Sequence, residues 1–346
     1  MHLRSPLLWS LQSVSNDDNK EIAVHTVLAP PANLSQRLLT QATANTFTSV
    51  MGTAGLGLLW RGAAPVLNLP AAPGEWILAF SALVFAVLLG AHLLRALLLP
   101  AQWRNEWTDN LGSSFMGAIT ISGSLMAAAA LPYDRQMAEL IWAPSAAAQL
   151  ALLLWVLGRW IKNNTESVHV GPIWLIPMVG NAAVSFAGVP LGHVEVCWLM
   201  WAAALICWLG FLPLFLQRLI TTQPKLPPQA APSLAILVSA PGVLAVAWRT
   251  LGGAADHGFV LLTFASLFFA LLVLRLLGWV LSAPFSRGWW AFTFPSTALA
   301  TALVRYHEAT QSNVSALLAW GALVFASVVV GLIWLLALRA GLSARR

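Results

Sequence analysis

The stretch Thr293-Phe294-Pro295-Ser296-Thr297, with Thr301 one turn further on, puts an aromatic ring, a proline and four hydroxyl groups into nine residues. At helical spacing Thr297 and Thr301 fall close to the face that carries Phe294. An aromatic ring on a hydroxyl-bearing face suits a hydrophobic constriction that closes a path by excluding water. Asn181, Ser239 and Thr120 are further polar groups that could line such a path. Four arginines, Arg61, Arg135, Arg249 and Arg305, close or follow apolar segments, and His193 follows another. Cations favour helix C-termini in any case, but together these four could form a basic ring at the outer vestibule that concentrates anions by long-range attraction. No acidic residue lies well inside the segments that carry these groups. That absence argues against a cation path or a carboxylate proton relay.

Motifs for other chemistry are missing. There is no His-Glu-x-x-His, no pair of aspartates or Ser-His pair at membrane depth, and no Walker sequence. The chain is therefore not expected to be an enzyme, to couple to ATP, or to need a metal or other cofactor. Cys197 and Cys207 share one apolar stretch, match no metal spacing, and are poorly placed for a disulfide within one helix. His307 and Glu308, read as part of an outer loop, have no catalytic spacing.

The elements that position these groups follow from composition. Of 346 residues 59% are apolar and 9% charged, against about 25% charged in a soluble domain, so lipid is the solvent this surface suits. Apolar segments recur at 45–64, 74–96, 112–131, 137–159, 171–189, 194–216, 232–248, 258–281, 288–304 and 314–337. Each approaches the roughly 20 residues that cross about 30 Å of hydrocarbon. Eighteen tryptophans fit a chain with many headgroup boundaries. With both termini inside, 14 of the 18 Lys and Arg fall on the inner side, and only Arg61, Arg135, Arg249 and Arg305 outside. That split is the positive-inside pattern, and it explains the net charge of +6 without nucleic acid. Residues 1–44 read as a cytoplasmic, partly disordered tail, 45–340 as one ten-helix membrane domain, and 341–346 as a short cytoplasmic tail.

Odd and even segments differ. Segments 1, 3, 5, 7 and 9 hold 18 Ser, Thr, Asn and Gln; the even ones hold seven. Mid-span breakers follow the same division less cleanly, with Gly90, Gly321 and Gly331 as exceptions in even segments: Pro177, Pro241 and Pro295, with Gly117 and Gly123 in segment 3, are the expected kinks. A proline frees a carbonyl that must find protein or water, and hydroxyls avoid lipid. The expected fold is an all-α polytopic membrane protein of five helical hairpins in a quasi-fivefold arrangement. The odd helices form an inner pore ring, and the even ones face lipid.

In this order and spacing, Trp289-Trp290-Ala291-Phe292-Thr293-Phe294-Pro295-Ser296-Thr297, Pro177-Met178-Val179-Gly180-Asn181 and Ser239-Ala240-Pro241-Gly242 resemble the tellurite-resistance/dicarboxylate transporter family. That family includes TehA-like bacterial proteins, fungal sulfite and malate permeases and plant slow anion channels. The resemblance implies a homotrimer in the plasma (inner) membrane, each protomer with its own pore for small inorganic or organic anions, and a gate at Phe294. Segment 3 lacks the proline that many relatives have there, so its kink would rest on Gly117 or Gly123. A proton-coupled transporter of dicarboxylate, sulfite or tellurite is the alternative to a channel or passive transporter.

Overall fold

The computed structural model describes residues 39–163 and 170–343; most of the expected N-terminal tail, with Arg4, Lys20 and Arg37, and the terminal Arg345 and Arg346 lie outside them. Among the described residues there are helices and no strands. From Thr48 onward, thirteen α-helices follow one another among the described residues. They are α1 (Thr48–Leu67), α2 (Ala72–Leu98), α3 (Pro100–Thr108), α4 (Asn110–Ala130), α5 (Arg135–Lys162), α6 (Leu175–Ala183), α7 (Ser185–Leu191), α8 (Val194–Thr221), α9 (Ile236–Thr250), α10 (His257–Arg275), α11 (Leu277–Val280), α12 (Thr293–Thr310) and α13 (Asn313–Ser343).

Local chemistry accounts for several of the helix ends. Asp109 accepts the Gly112 N–H at 2.6 Å, Asp134 those of Gln136 and Met137, and Asp256 that of Phe259, each capping the helix that follows. Asn68 and Gln311 turn left-handed to end α1 and α12. Four helices begin differently. Short 3-10 turns, Ala44–Phe47, Pro172–Trp174, Pro228–Ala235 and Arg287–Phe292, lead directly into α1, α6, α9 and α12. Three of these leads are followed by a proline early in the α-helix, Pro177, Pro241 and Pro295.

Nine stretches among the described residues are long and apolar enough to cross a membrane, which makes this a multi-pass membrane protein. Within each, the share of the most apolar window that is buried separates two classes. It is 67–94% for the stretches containing α1, α4, α6–α7 and α9, and 17–33% for those containing α2, α5, α8, α10 and α13. The tenth expected span, 288–304, corresponds to α12 and its 3-10 lead. It is not among the nine, because its hydroxyls and Arg305, His307 and Glu308 lower its hydropathy. Yet α12 is buried from Pro295 through Ala300 and again at Ala302, Leu303 and Val304. It packs on α1, α9 and α13. Among the more buried helices, α1 touches α4, α4 touches α6, α6 touches α9, α9 touches α12, and α12 returns to α1. Each also packs on the helix that follows it in the chain across a short turn: α1 on α2, α4 on α5, α9 on α10 and α12 on α13, and the broken fifth span contributes α6 and α7 against α8.

Several expected elements need correction. The span 171–189 is interrupted at Val184, and 258–281 ends as α10 at Arg275, with the separate turn α11 beyond Leu276. Helix α3 was not foreseen, because its mixed polar sequence resembles a loop. His307 and Glu308 are not in a loop: α12 continues through Thr310, and His307 Nδ1 lies 2.9 Å from Ser315 Oγ.

The contact between α1 and α12 depends on two glycines. A Cβ on Gly52 would lie 2.0 Å from Thr293 Oγ1, and one on Gly55 2.5 Å from Thr297 Oγ1. Side chains there would push the helices apart, and overpacking typically costs about 1–3 kcal/mol or more. Gly52→Val is expected to broaden the size-exclusion peak and lower the thermal unfolding midpoint of the purified protein. Gly90→Ala, with nothing within 4 Å of the added carbon, should leave both unchanged or slightly improved; equal behaviour of the two variants would refute close packing at Gly52.

Candidate functional site

The 3-10 lead into α12 brings Thr293 to the first α-helical position, with Phe294 next. The hydroxyls that follow turn back on their own helix. Thr293 Oγ1 donates to Trp290 O, Ser296 to Thr293 O, Thr297 to Phe294 O and Thr301 to Thr297 O, all at 2.7–2.8 Å. Their protons are thus engaged, and what they turn to a neighbouring space is oxygen lone pairs.

Two cavities lie among the more buried helices. The larger, about 600 Å³, is lined by Thr297, Thr301, Arg61, Arg249, Arg305 and Glu308 among others. The smaller, about 310 Å³, has Ser239, Ser233, Val179, Pro295 and Arg287 in its wall. Phe294 and Val243 belong to both walls, so these two side chains form the partition between the cavities. The Phe294 ring is only half-buried. It has room because α1 carries Gly55 opposite, where an added Cβ would come within 3.3 Å of Phe294 Cδ2. Val243 was missed from the sequence; its place two residues after Pro241, at helical spacing from Ser239, was the available signal.

The other expected lining groups separate. Thr297 and Thr301 reach the larger cavity and Ser239 the smaller, while Asn181 and Thr120 line neither. Asn181 is fully buried, with Nδ2 donating to Pro177 O at 2.8 Å and Met178 O at 3.0 Å. Thr120 donates to Gln149 Oε1, and Gln149 Nε2 donates to Pro177 O at 3.0 Å. Gln149, on the more exposed helix α5, therefore ties α4 to α6. Helix α4 runs unbroken through Gly117 and Gly123, where a Cβ would crowd Ile176 and Pro177 of α6 and Ser145 of α5 respectively.

The arginines have unequal company. Arg61 meets Glu75 through two bonds, Nε–Oε1 at 2.7 Å and Nη2–Oε2 at 2.6 Å, and its Nη1 reaches Ala129 O at the end of α4. Tyr133, in the turn after α4, donates to the same Glu75 at 2.6 Å. This bond to a carboxylate raises the Tyr133 pKa above the usual phenol value. Arg305 pairs with Glu308 at 2.9 Å. Arg135 lines neither cavity; it donates to Pro190 O and Leu191 O, both at 2.8 Å, and so covers the end of α7. His193 stacks on Trp142 and meets Glu139 at 2.7 Å. Arg249 faces the larger cavity with no carboxylate partner among the described residues. No group of three or more His, Cys, Asp or Glu that could hold a metal occurs among the described residues.

A family model described as SLAC1, voltage-dependent anion channel, matches residues 41–340. The chain belongs to the voltage-dependent anion channel family. Its resemblance to TehA-like proteins and plant slow anion channels agrees with individual members. The family's S-type anion channel SLAH3 of Arabidopsis thaliana is 23% identical over 294 residues, 83% of this chain and 46% of the plant protein. The guard cell S-type anion channel SLAC1 of the same plant is 26% identical over 190 residues, 54% of this chain and 34% of the relative. The tellurite resistance protein TehA homolog of Haemophilus influenzae is 27% identical over 303 residues, 83% of this chain and 87% of the relative. The chain thus spans under half the length of these plant family members and most of the bacterial one. The family match covers both cavities and every residue of the Phe294–Val243 partition.

Proposed function

We propose that this protein is a transmembrane anion channel or passive anion transporter whose pore runs through the two cavities and is closed at Phe294. The observation that carries this reading is the partition itself. One aromatic and one branched apolar side chain separate two spaces enclosed by mutually contacting helices. Such a constriction excludes water, and with it hydrated ions. The names of the relatives, S-type anion channels among them, support the substrate class.

In this reading α12 is the tenth crossing, tolerated at low hydropathy because neighbouring helices rather than lipid surround it. The ten crossings form five hairpins in quasi-fivefold order, with α1, α4, α6–α7, α9 and α12 as the pore ring. Residues 45–340 then make one transport domain, with Pro177, Pro241, Pro295, Gly117 and Gly123 allowing its inner helices to bend or approach closely. The division of Lys and Arg supports cytoplasmic termini in a plasma (inner) membrane protein, which makes the Arg61, Arg249 and Arg305 end the outer one. The family resemblance supports a homotrimer. Hydroxyls whose protons are bound to their own backbone offer no strong anion donor, which suits fast passage rather than tight binding.

The test is the reversal potential of the purified Phe294→Ala variant in planar bilayers, measured under a salt gradient and then under a pH gradient. A passive anion path gives a reversal potential that follows the anion gradient and ignores pH. A reversal potential that moves with the proton gradient would replace this reading with coupled transport of the dicarboxylate, sulfite or tellurite kind.

A further inference from the structure

Three arginines reach the wall of the larger cavity, but two bring their countercharge with them. Glu75 holds Arg61 in a two-point pair, and Glu308, itself in the cavity wall, holds Arg305. Arg249 is different. Among the described residues Nη1 is its one guanidinium nitrogen with a protein acceptor, Gly253 O at 2.7 Å, while Nε is buried with none. Its Cζ lies 5.7 Å from the centre of the Phe259 ring, which holds the cation without neutralising it. Asp256, the carboxylate on the adjoining loop, caps α10 through Phe259 N–H and lies beyond ion-pair distance. The C-terminal end of α9 accounts for a cation here, and the bond to Gly253 O accounts for one nitrogen, but neither explains the remaining unpartnered donors beside a cavity.

We infer that Arg249 is an anion-binding and selectivity-determining residue. It holds a small inorganic anion weakly and exchangeably at the mouth of the pore, and it supplies the uncompensated positive charge of that mouth. A fixed cation in a concave apolar wall raises the local concentration of anions, and weak binding lets them leave again. The inference rests on the proposed function insofar as the larger cavity is that mouth. It also makes Glu308 a restraint on anion entry, since its removal would release Arg305 as a second free cation.

Chloride-35 NMR tests the site without requiring conduction. Purified protein should broaden the chloride line, and nitrate should displace that broadening. Arg249→Gln should remove the displaceable part, Arg249→Lys should keep most of it, and Glu308→Gln should keep or increase it, all with unchanged size-exclusion profiles. No displaceable broadening in the wild type, or the same broadening in Arg249→Gln, overturns the site. A second measurement reads selectivity in a Phe294→Ala background. Arg249→Gln should cut anion current about three- to eightfold in 0.01 M salt, as expected for one charge lost several ångströms away. The loss should fall below about twofold in 1 M salt, where the Debye length shrinks from about 30 Å to about 3 Å. Equal losses at both salts would reduce Arg249 to a structural residue. If Phe294→Ala carries no current while the NMR signal still depends on Arg249, the gate fails and the anion site stands.

Discussion

Phe294→Ala is expected to turn a closed protein into one that conducts anions without a stimulus, raising current on the order of 10- to 100-fold over the wild type. A tenfold gain corresponds to lowering the barrier by about 1.4 kcal/mol, less than the cost of stripping water from an ion in an apolar neck. The ring is one of two side chains shared by the walls of both cavities, so its removal joins cavities of about 600 and 310 Å³. The protein should stay folded. The ring is only half-buried, at the edge of the core rather than enclosed in it, and the hydroxyls around it bond to their own helix. Val243→Ala removes less of the partition and should give a smaller gain. Recordings from oocytes or planar bilayers decide the matter. Unchanged currents at normal surface expression would remove Phe294 from the gate and leave the partition a packing feature.

Glu106→Ala is expected to have the largest effect on stability. Glu106 stands on α3 and binds in two directions. Its Oε2 pairs with Arg95 of α2, Arg95 being buried and Glu106 largely so, and its Oε1 accepts the Ala44 N–H at 2.7 Å, at the start of the 3-10 lead into α1. Beside it, His92 Nδ1 lies 2.9 Å from Ala42 O, while Trp103 Nε1 donates to His92 Nε2 at 3.3 Å. This pattern places the imidazole proton on Nδ1, where it donates to the Ala42 carbonyl. The cluster therefore fixes where the chain enters α1, which lines the smaller cavity through Thr48 and Met51. Losing Glu106 leaves Arg95 buried without its countercharge, although its Nε already lacks a partner. Breaking one side of a buried pair costs about 3–5 kcal/mol. Purified Glu106→Ala should aggregate or unfold at clearly lower temperature. Replacing both partners, as Arg95→Met with Glu106→Leu, should recover much of the loss, because no stranded charge remains. Wild-type heat stability in Glu106→Ala would show that the pair does not hold the lead into α1.

Arg95 shows how far the chain could be read before its structure was known. As a letter near the end of an apolar segment it signals orientation, and so do Arg159 and Arg218. That Arg95 is buried against a carboxylate depends on α3, a nine-residue helix whose Trp, Arg, Asn and Glu look like a polar loop. Arg305 and Glu308 stand three residues apart, a spacing at which side chains meet on a helix. Their pairing escaped notice because hydropathy ends the segment at Val304, whereas α12 continues to Thr310. Asn181 misled in the opposite direction: an amide at mid-span suggests a lining group, but its amide nitrogen is spent on carbonyls near Pro177.

Membrane residence and the contrast between polar and apolar segments were written in the sequence, because transfer into lipid is close to a sum over residues, and a sum survives ignorance of contacts. The sequence also singles out Phe294 as a candidate gate, an aromatic ring among hydroxyls before a proline. The partner of that ring, Val243, comes from another helix, and only packing joins the two. The same holds for charge. Sequence placed four arginines at one level; the tertiary structure gave two of them carboxylates, set Arg135 against the end of α7, and left Arg249 facing the cavity. Whether a cation is free depends on which side chains lie within about 4 Å of it, and that is a property of the assembled helices rather than of any one of them.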